Sequence, residues 1–268
     1  MNLFKVLLVV TFITYNGAEE PVEGKTVNDV VEKGSQNKII NGTIASIDDY
    51  PYQAFIFELK MPLCSGSIIK PTVILTAAHC IDGKHADDLL VRAGFSSIKI
   101  ETGNDVKVER YYIHPKYFWY LGFDYDVSVI IIKSLVLSEK IKVVDLVLPD
   151  YKLLPGAMGV VAGWGTTETL EGFSDILHVV RVPFVSDADC RSMYSLGDVT
   201  DRMICFGYPE GMKDSCWGDS GGPIIVENMQ VGIVSWGIGC GLPKKPGVYT
   251  NLQNPEIRLF IISVSSEW

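Results

Sequence analysis

The segment Asp214–Pro223 reads D-S-C-W-G-D-S-G-G-P and holds Ser220 among glycines, directly after the acid Asp219. A serine hydroxyl is a weak nucleophile, so it needs an adjacent base that a third group orients. Glycines around such a serine permit a tight turn and close approach of a substrate, and their N–H groups can face a developing oxyanion. The segment therefore predicts a nucleophilic serine that requires a base and an orienting acid elsewhere in the chain.

Two further segments offer those groups. His79 lies near the end of Leu75–Cys80, L-T-A-A-H-C, and Asp126 leads into the apolar part of Phe123–Ile130, F-D-Y-D-V-S-V-I. Histidine suits the base because its pKa lies near working pH, and a buried acid can fix its tautomer. Taken singly, His79 also fits a hydrogen-bonded core histidine and Asp126 a turn cap. The order histidine, acid, serine in one chain favours a hydrolytic site.

The rest of the chain is patterned like an all-β protein. Beyond about residue 39, short runs rich in Val, Ile and aromatic residues alternate with Gly, Pro, Asn and Asp, which predicts strands bounded by turns. Helical periodicity is confined to Ser186–Met193 and to Pro255–Val264. Many short strands without alternating helices predict a sandwich or barrel, and an extended connection near Val143–Tyr151 fits a change of domain.

The N-terminus carries a secretory signal pattern: Lys5, an apolar run over Val6–Ile13, and small residues at Gly17 and Ala18. The run is shorter than the roughly 20 residues that span a bilayer, which argues against the alternative of a membrane anchor. Six cysteines, an even number, are typical of disulfides in a secreted chain, although counting alone leaves their pairing open. We therefore predict a signal peptide over residues 1–18 and a secreted, extracellular protein without membrane attachment.

Composition and charge exclude several other classes of protein. The 268 residues are 47% hydrophobic, which suffices for a buried core, and 23 basic against 32 acidic residues give a net charge of -9. Because the chain has no basic cluster for phosphate contacts, we predict no nucleic-acid partner. It has no C-x-x-C spacing and only four scattered histidines, so we predict no metal and no cofactor.

The motifs T-A-A-H-C, D-V-S-V-I, G-D-S-G-G-P, S-W-G and P-G-V-Y together resemble the trypsin-like serine proteases of the chymotrypsin fold, from Ile39 to the C-terminus. The resemblance implies an all-β fold of two antiparallel six-stranded β-barrels, with the active site between them and a C-terminal α-helix. It divides the mature chain into an N-terminal barrel over residues 39–145 and a C-terminal barrel with the helix over residues 146–268. It also implies three disulfides, a set that looks like that of invertebrate secreted trypsins: Cys64–Cys80, Cys190–Cys205 and Cys216–Cys240.

The resemblance also implies the catalytic roles. Ser220 is the expected nucleophile, His79 the general base and then acid, and Asp126 the orienting carboxylate. Asp124 is the near rival of Asp126, which matches the family because it directly precedes the apolar strand. The backbone N–H groups of Gly218 and Ser220 are expected to form the oxyanion hole.

A substrate pocket follows from the same resemblance. Asp214 takes the position at the base of the primary pocket, where its carboxylate would pair with a Lys or Arg side chain of the substrate. Ser215 beside it fits a pocket that accepts both. Gly237 and Gly247 match the glycines that keep the pocket walls open for a long side chain.

The rim of the expected pocket departs from the family at one position. Trp217 stands where trypsins commonly carry glutamine, and a large ring there would narrow or line the entrance. The backbone of Ser235, Trp236 and Gly237 is expected to pair with an extended substrate like an added strand. The Ser235 hydroxyl is expected to hydrogen-bond near Asp126.

The segment before Ile39 resembles an activation peptide. Residues 19–38 are acidic, carry few large apolar groups and end at Lys38, where cleavage would create a new α-amino group on Ile39. In the family that ammonium pairs with the acid preceding the nucleophile, here Asp219, and the pair orders the pocket and the oxyanion hole. The N-G-T sequon at Asn41 makes that residue a candidate glycosylation site.

The predicted function is a secreted serine endopeptidase that cleaves after Lys or Arg, made as a zymogen activated at Lys38–Ile39, with a digestive role. Expected partners are protein or peptide substrates with Lys or Arg at the cleavage site and protein protease inhibitors; a monomer is expected. Two alternatives stay open: a regulatory, salivary or venom protease of narrow specificity, which Trp217 hints at, and a non-catalytic binding protein on the same scaffold. The latter usually has a broken triad, and here every element is intact.

Overall fold

The computed structural model describes residues 42–99, 104–118, 122–166, 172–216 and 218–266. The predicted signal and activation peptides, Lys38, Ile39, Asn41 and Trp217 lie outside the described residues. Within the ranges described, no helix has both the length and the apolar character that crossing a membrane requires.

Strands dominate the described chain, and the longest helix is the last element. The N-terminal half contains β1 (Thr43–Ile44), β2 (Gln53–Glu58), β3 (Met61–Lys70), β4 (Val73–Thr76), α1 (Ala78–Ile81), a 3-10 helix (Ala86–Asp88), β5 (Leu89–Ala93), β6 (Asn104–Ile113) and β7 (Ser128–Ile132). The C-terminal half contains β8 (Asp145–Leu146), β9 (Met158–Gly163), β10 (His178–Val185), α2 (Asp187–Met193), β11 (Met203–Phe206), β12 (Pro223–Val226), β13 (Met229–Trp236), β14 (Gly247–Asn251) and α3 (Pro255–Ser265).

The first barrel closes in the order β2, β3, β4, β7, β6 and β5, with every neighbouring pair antiparallel. β4 and β7 are buried along their whole length, whereas β5 alternates buried and partly exposed residues. A strand covered on both faces has a continuous apolar sequence. V-I-L-T in β4 and S-V-I-I-I in β7 fit that rule, and α3 packs against β7.

The second barrel closes in the order β9, β10, β11, β14, β13 and β12, because β12 pairs back to β9. β1 extends this sheet beside β10, and the short β8 runs parallel to β13. The prediction of two antiparallel six-stranded barrels is confirmed. The candidate site residues lie close in sequence to the ends of β4 and β13 and to the starts of β7 and β12.

The C-terminal helix α3 is also confirmed, and its start is set locally. The Asn254 side chain accepts the N–H groups of Glu256 and Ile257, and a proline occupies the first helical position. Both features are typical helix starts. α3 buries Ile257, Phe260 and Ile261, so its apolar face anchors the end of the chain to the barrels.

All six cysteines form disulfides, in the pairs Cys64–Cys80, Cys190–Cys205 and Cys216–Cys240. The bridged residues are 16, 15 and 24 positions apart. Closing loops of this length stabilises the fold by about 3 kcal/mol for each bridge in the chain-entropy description. The first bridge joins β3 to α1, and the third joins the segment before Ser220 to the one after β13, so two of the three brace the cleft.

Buried side-chain hydrogen bonds join the two barrels. Gln53 Nε2 of β2 donates to the carbonyl oxygen of Ala162 in β9 at 2.8 Å. Ser67 Oγ of β3 donates to Gln230 Oε1 of β13 at 2.7 Å. Buried polar groups without partners are strongly unfavourable, so these bonds favour one arrangement of the barrels over slipped alternatives.

An aromatic cluster packs at the same interface. Trp164, which directly follows β9, is fully buried and lies parallel to Phe95 with ring centroids 4.7 Å apart. It meets Phe55 of β2 edge-on at 5.3 Å, and its indole N–H donates to the carbonyl oxygen of Ser96 at 3.1 Å. A second-barrel tryptophan thus fills a gap lined by first-barrel residues.

We expect Trp164→Ala to lower the free energy of unfolding by about 3–5 kcal/mol, because it removes a large buried ring and leaves a cavity between the barrels. Leu196→Ala, at a fully exposed position, should change it by less than about 0.5 kcal/mol. Denaturant unfolding in a Ser220→Ala background, which removes the predicted nucleophile, measures both. If Trp164→Ala changed the free energy of unfolding as little as Leu196→Ala does, the aromatic cluster would not be what holds the barrels together.

Candidate active site

β4 and its disulfide position His79. Ala77 and Ala78 follow the strand and are fully buried, and the one-turn helix α1 carries His79 at its second position. The bridge between Cys64 and Cys80 ties the next residue to β3. Because the two alanines are small and fully buried, this turn can pack closely against the barrel.

Asp126 lies behind His79 and is 1% exposed. Its Oδ1 accepts the backbone N–H of His79 at 2.9 Å, and its Oδ2 lies 2.8 Å from His79 Nδ1. Oδ2 also accepts the Ser235 hydroxyl at 2.5 Å. A carboxylate only accepts hydrogen bonds, so the contact assigns the imidazole proton to Nδ1 and leaves Nε2 as an acceptor.

The rival acid Asp124 points to different partners. Its carboxylate accepts two hydrogen bonds from Arg202, at 3.1 and 2.5 Å, and one from Thr200 at 2.8 Å. Of the two acids that flank Tyr125, the structure therefore brings Asp126, and not Asp124, against His79.

The pKa of His79 reflects two opposing effects. Burial acts to lower it, but the negative charge of Asp126 and its hydrogen bond outweigh burial and raise the pKa above the ordinary value for histidine. A raised pKa makes the imidazole a stronger base and stabilises an imidazolium once it forms.

A tight turn presents Ser220. Its carbonyl oxygen accepts the N–H of Ser65 at 2.9 Å, and the next N–H, of Gly221, donates to Val234 at 2.8 Å. Gly221 has φ +80°, and a Cβ there would lie 2.1 Å from Thr76 Oγ1. Only glycine is compatible with both this φ value and the space available, so it allows the Ser220 turn to pack directly against β3 and β4.

One cavity of about 600 Å³ brings most of the predicted site residues together. The predicted catalytic and substrate-binding residues that line it are His79, Asp214, Ser215, Gly218, Ser220, Ser235, Trp236, Gly237 and Gly247. Among the described residues, no hydrogen bond joins Ser220 Oγ to His79, and the imidazole Nε2 lies 3.7 Å from Cys80 Sγ. Such catalytic bonds are often long before substrate binds and tighten in the reacting complex.

Gly218 sits at a crowded corner of this cavity. Its φ is +100°, and a Cβ there would lie 2.7 Å from the ring of Phe173 and 3.0 Å from the Cα of Gly165. Its carbonyl oxygen accepts the Ser65 hydroxyl at 3.2 Å. The corner thus requires glycine, while its role in an oxyanion hole stays a prediction.

Asp214 is a buried acid with an incomplete set of partners. It is 3% exposed, and its Oδ2 accepts the N–H of Gly241 at 3.0 Å. Within the residues that the structure describes, its buried Oδ1 has no hydrogen-bond partner. Burial raises the pKa of Asp214 to about 7, the N–H groups of Gly241 and Ser215 oppose that shift, and the charge of Asp219 adds to it. A cation beside this carboxylate would be strongly favoured.

Asp219 is fully buried behind the serine turn and does not line the cavity. Its two oxygens accept the N–H groups of Gly165 and Cys216, each at 2.9 Å. Burial raises the pKa of Asp219 to about 6, against the effect of these two hydrogen bonds. Neither hydrogen bond supplies a full positive charge, so the carboxylate is only partly compensated.

Comparisons with known proteins agree with this geometry. The sequence model of the family described as Trypsin matches residues 39–257. The chain belongs to the trypsin family. It is 37% identical to trypsin 5G1 of Aedes aegypti over 221 residues, which cover 81% of this chain and 82% of that protein.

Two other relatives support the same family. Trypsin-1 of Astacus astacus is 36% identical over 231 residues, covering 80% of this chain and 95% of that protein. The vitellin-degrading protease of Bombyx mori is 34% identical over 217 residues, covering 80% of this chain and 81% of that protein. As a member of the trypsin family, the protein is a trypsin-like serine endopeptidase of the secreted type, and its disulfides fit an oxidising compartment.

Sequence reasoning missed two glycines that this trypsin-family site needs. A Cβ on Gly163 would lie 2.1 Å from an Asp219 oxygen, and one on Gly165 would lie 2.4 Å from the other. Residues two apart on an extended chain face the same side, so both glycines face the buried acid. The available signal was the G-W-G triplet, with glycines on both sides of Trp164 at the end of an apolar run.

Three side chains of the cleft also carried no sequence signal of their own. Phe123, Phe173 and Lys84 line the cavity, and Phe123 meets the His79 ring edge-on at 5.6 Å. The grouping of His79 with two cysteines offers no thiolate ligands for a metal, because both sulfurs are in the disulfide.

The raised pKa of Asp214 predicts how stability depends on pH. The folded state holds this proton up to about pH 7, whereas an unfolded aspartate releases it near pH 4. The stability contributed by the protonated form is therefore complete below about pH 4 and is lost as pH rises through about 7. In a Ser220→Ala background, Asp214→Asn should gain roughly 2–4 kcal/mol relative to the parent between pH 4 and pH 8.

Denaturant unfolding across that pH range measures the difference. Asp87→Asn, which removes an exposed carboxylate, controls for the change in net charge and should not reproduce it. A constant difference between Asp214→Asn and its parent from pH 4 to pH 8 would contradict the raised pKa.

Proposed function

We propose that the protein cleaves peptide bonds after Lys or Arg, with Ser220 as nucleophile, His79 as general base and Asp126 as the orienting acid. The observation that carries the proposal is the buried Asp214 carboxylate, which faces the cavity that also contains His79 and Ser220. One of its oxygens has no hydrogen-bond partner among the described residues. A Lys or Arg side chain would supply the charged donors that this oxygen lacks.

In the proposed reaction, Ser220 Oγ attacks the carbonyl carbon while His79 Nε2 accepts the hydroxyl proton. The negative oxygen that forms faces the backbone N–H groups of Gly218 and Ser220. His79 then donates its proton to the leaving amine, and the acyl group stays on Ser220. Water attacks this ester with His79 again as base, which releases the new carboxyl end and restores the serine hydroxyl.

The glycines of the cavity support a pocket for a long side chain. A Cβ at position 247 would lie 2.8 Å from Asp214 Oδ1, so a larger residue at Gly247 would block the carboxylate. At Gly237 the nearest atom to such a Cβ would be 3.4 Å away. The backbone of Ser235, Trp236 and Gly237 lines the same cavity and would pair with an extended substrate.

Activation by cleavage after Lys38 follows from the same electrostatic reasoning. Asp219 is fully buried with a raised pKa, and within the described residues it forms no ion pair. An ammonium group on Ile39, created by the cut, would compensate this charge and order the serine turn next to it. We therefore propose a signal peptide over residues 1–18 and an activation peptide over residues 19–38, ahead of barrel domains over 39–145 and 146–268.

We also propose an extracellular monomer that digests protein and is controlled by protein protease inhibitors. Relatives whose names contain the word trypsin, and name no particular protein substrate, support a general rather than a dedicated role. A second candidate, a protease dedicated to one protein substrate, is favoured by the relative named vitellin-degrading protease. A library with varied residues on both sides of the cut distinguishes broad from narrow cleavage.

The purified protein, cut after Lys38, should hydrolyse a short arginine amide, and Ser220→Ala should lower kcat by at least about 10³-fold, because it removes the nucleophile. Ser192→Ala, at an exposed position of α2, should leave the rate unchanged. Release of a chromogenic amine measures all three. Cleavage confined to bonds after Phe, Tyr or Leu in a peptide library would contradict the assignment of Asp214.

Lys38→Gln should keep the secreted chain at a small fraction of full activity, because no ammonium forms to pair with Asp219. Lys33→Gln, in the same leader, should activate like the parent chain. Mass spectrometry of the N-terminus, alongside arginine-amide hydrolysis, tests both variants. Full activity from an uncut Lys38→Gln protein would rule out the zymogen.

A further inference from the structure

The segment that precedes Asp126 has an unusual backbone. Phe123 and Tyr125 have φ values of 59° and 56°, in the left-handed region that residues other than glycine seldom adopt. Such conformations persist only where the surrounding contacts over-determine them. The contacts of this segment therefore decide where the next residue, Asp126, lies.

The Tyr125 ring is held from several directions. It lies parallel to the His114 ring with centroids 4.6 Å apart, and the cationic ends of Arg202 and Lys116 lie 5.0 and 5.3 Å from its centre. Its hydroxyl donates to Glu256 Oε1 of α3 at 3.0 Å. Stacking and cation–π contacts are attractive at these distances. We call this set of contacts to Tyr125 the Tyr125 clamp.

Arg202 belongs to the clamp and also holds the residue before Tyr125. Its Nη2 and Nε donate to the two oxygens of Asp124, and Thr200 Oγ1 donates to Asp124 as well. A two-pronged bond between guanidinium and carboxylate fixes direction as well as distance. Arg202 directly precedes β11 and Thr200 lies two residues before Arg202, so this contact ties a loop of the first barrel to the second barrel.

We propose that Tyr125 and Arg202 are positioning residues for the Asp126 carboxylate. The backbone link is direct, because the carbonyl oxygen of Tyr125 accepts the N–H of Val127 at 2.8 Å, across Asp126. Both Asp126 oxygens are engaged by His79, so a shift of the segment moves or releases the imidazole. Misplacing a reacting group by about 1 Å can slow a reaction about 10²-fold.

This inference rests on the proposed function, since it concerns how the proposed triad is held. It predicts a particular kinetic pattern, because neither Tyr125 nor Arg202 lines the cavity that contains Asp214. Loss of the clamp should lower kcat on an arginine amide and leave KM within about twofold. It should also weaken the effect of Asp126 on His79, so the acid limb of the pH–rate profile should move to lower pH.

Tyr125→Asn is the main test, because asparagine tolerates positive φ and the variant removes the ring without adding backbone strain. We expect kcat to fall on the order of 10²-fold, with the acid limb displaced as described. Tyr125→Phe keeps the ring and removes the hydroxyl that donates to Glu256, so it should restore most of the rate. Titration of reactive serine with a fluorophosphonate normalises every rate to correctly folded sites.

Arg202→Gln is an independent variant that tests the same inference even if Tyr125→Asn does not fold. It should lower kcat and shift the acid limb in the same direction. Arg191→Gln is the matched control: Arg191 pairs with Asp201 at 2.5 Å on the surface nearby and is not part of the clamp. It should behave like the parent enzyme.

Two outcomes would overturn the inference. One is that each variant that folds, Tyr125→Asn or Arg202→Gln, has the kcat per titrated serine and the pH profile of the parent enzyme. The other is a loss seen only in the number of reactive serines, which would mean a purely structural role. A parent enzyme that fails to cleave the arginine amide would instead defeat the proposed function, so the two failures are distinguishable.

Discussion

The buried carboxylate of Asp126 connects the two halves of the molecule, and the geometry of the cleft depends on it. From the first barrel, His79 meets it through both its backbone N–H and its imidazole. From the second barrel, Ser235 donates to its side chain and Thr250 donates to its carbonyl oxygen at 2.6 Å. An uncompensated buried carboxylate is strongly unfavourable, so moving the barrels apart would break bonds that the folded protein needs.

Two other buried acids differ from Asp126 in their hydrogen-bond partners. Asp214 and Asp219 accept backbone hydrogen bonds, yet burial raises the pKa of both, and neither is matched by a cation among the described residues. Glycines surround them because a side chain at Gly163 or Gly247 would collide with a carboxylate oxygen. In the proposed function, the substrate side chain supplies the missing positive charge beside Asp214, which accounts for specificity. The new N-terminus supplies the missing positive charge beside Asp219, which accounts for activation.

Much of the fold was predictable because its signals are local. Alternating apolar runs and turn residues indicated a barrel or sandwich, and the period of the last segment indicated α3. The number of strands, their closure and the cysteine pairs came from the resemblance carried by motifs such as G-D-S-G-G-P. The glycines that face Asp219 were missed because their reason is a contact: Gly165 and Asp219 are 54 positions apart.

By itself, the sequence determined which residue types are present for the chemistry, their order along the chain and the local turns that glycine permits. The resemblance favoured Asp126 over Asp124, but only the tertiary structure decided the physical reason: Arg202, 78 positions from Asp124, and Ser235, 109 positions from Asp126, hold the two acids in different places. Hydrogen bonds and interactions between buried charges act over a few ångströms. Residues that are far apart in the sequence come within that distance only because the two barrels close.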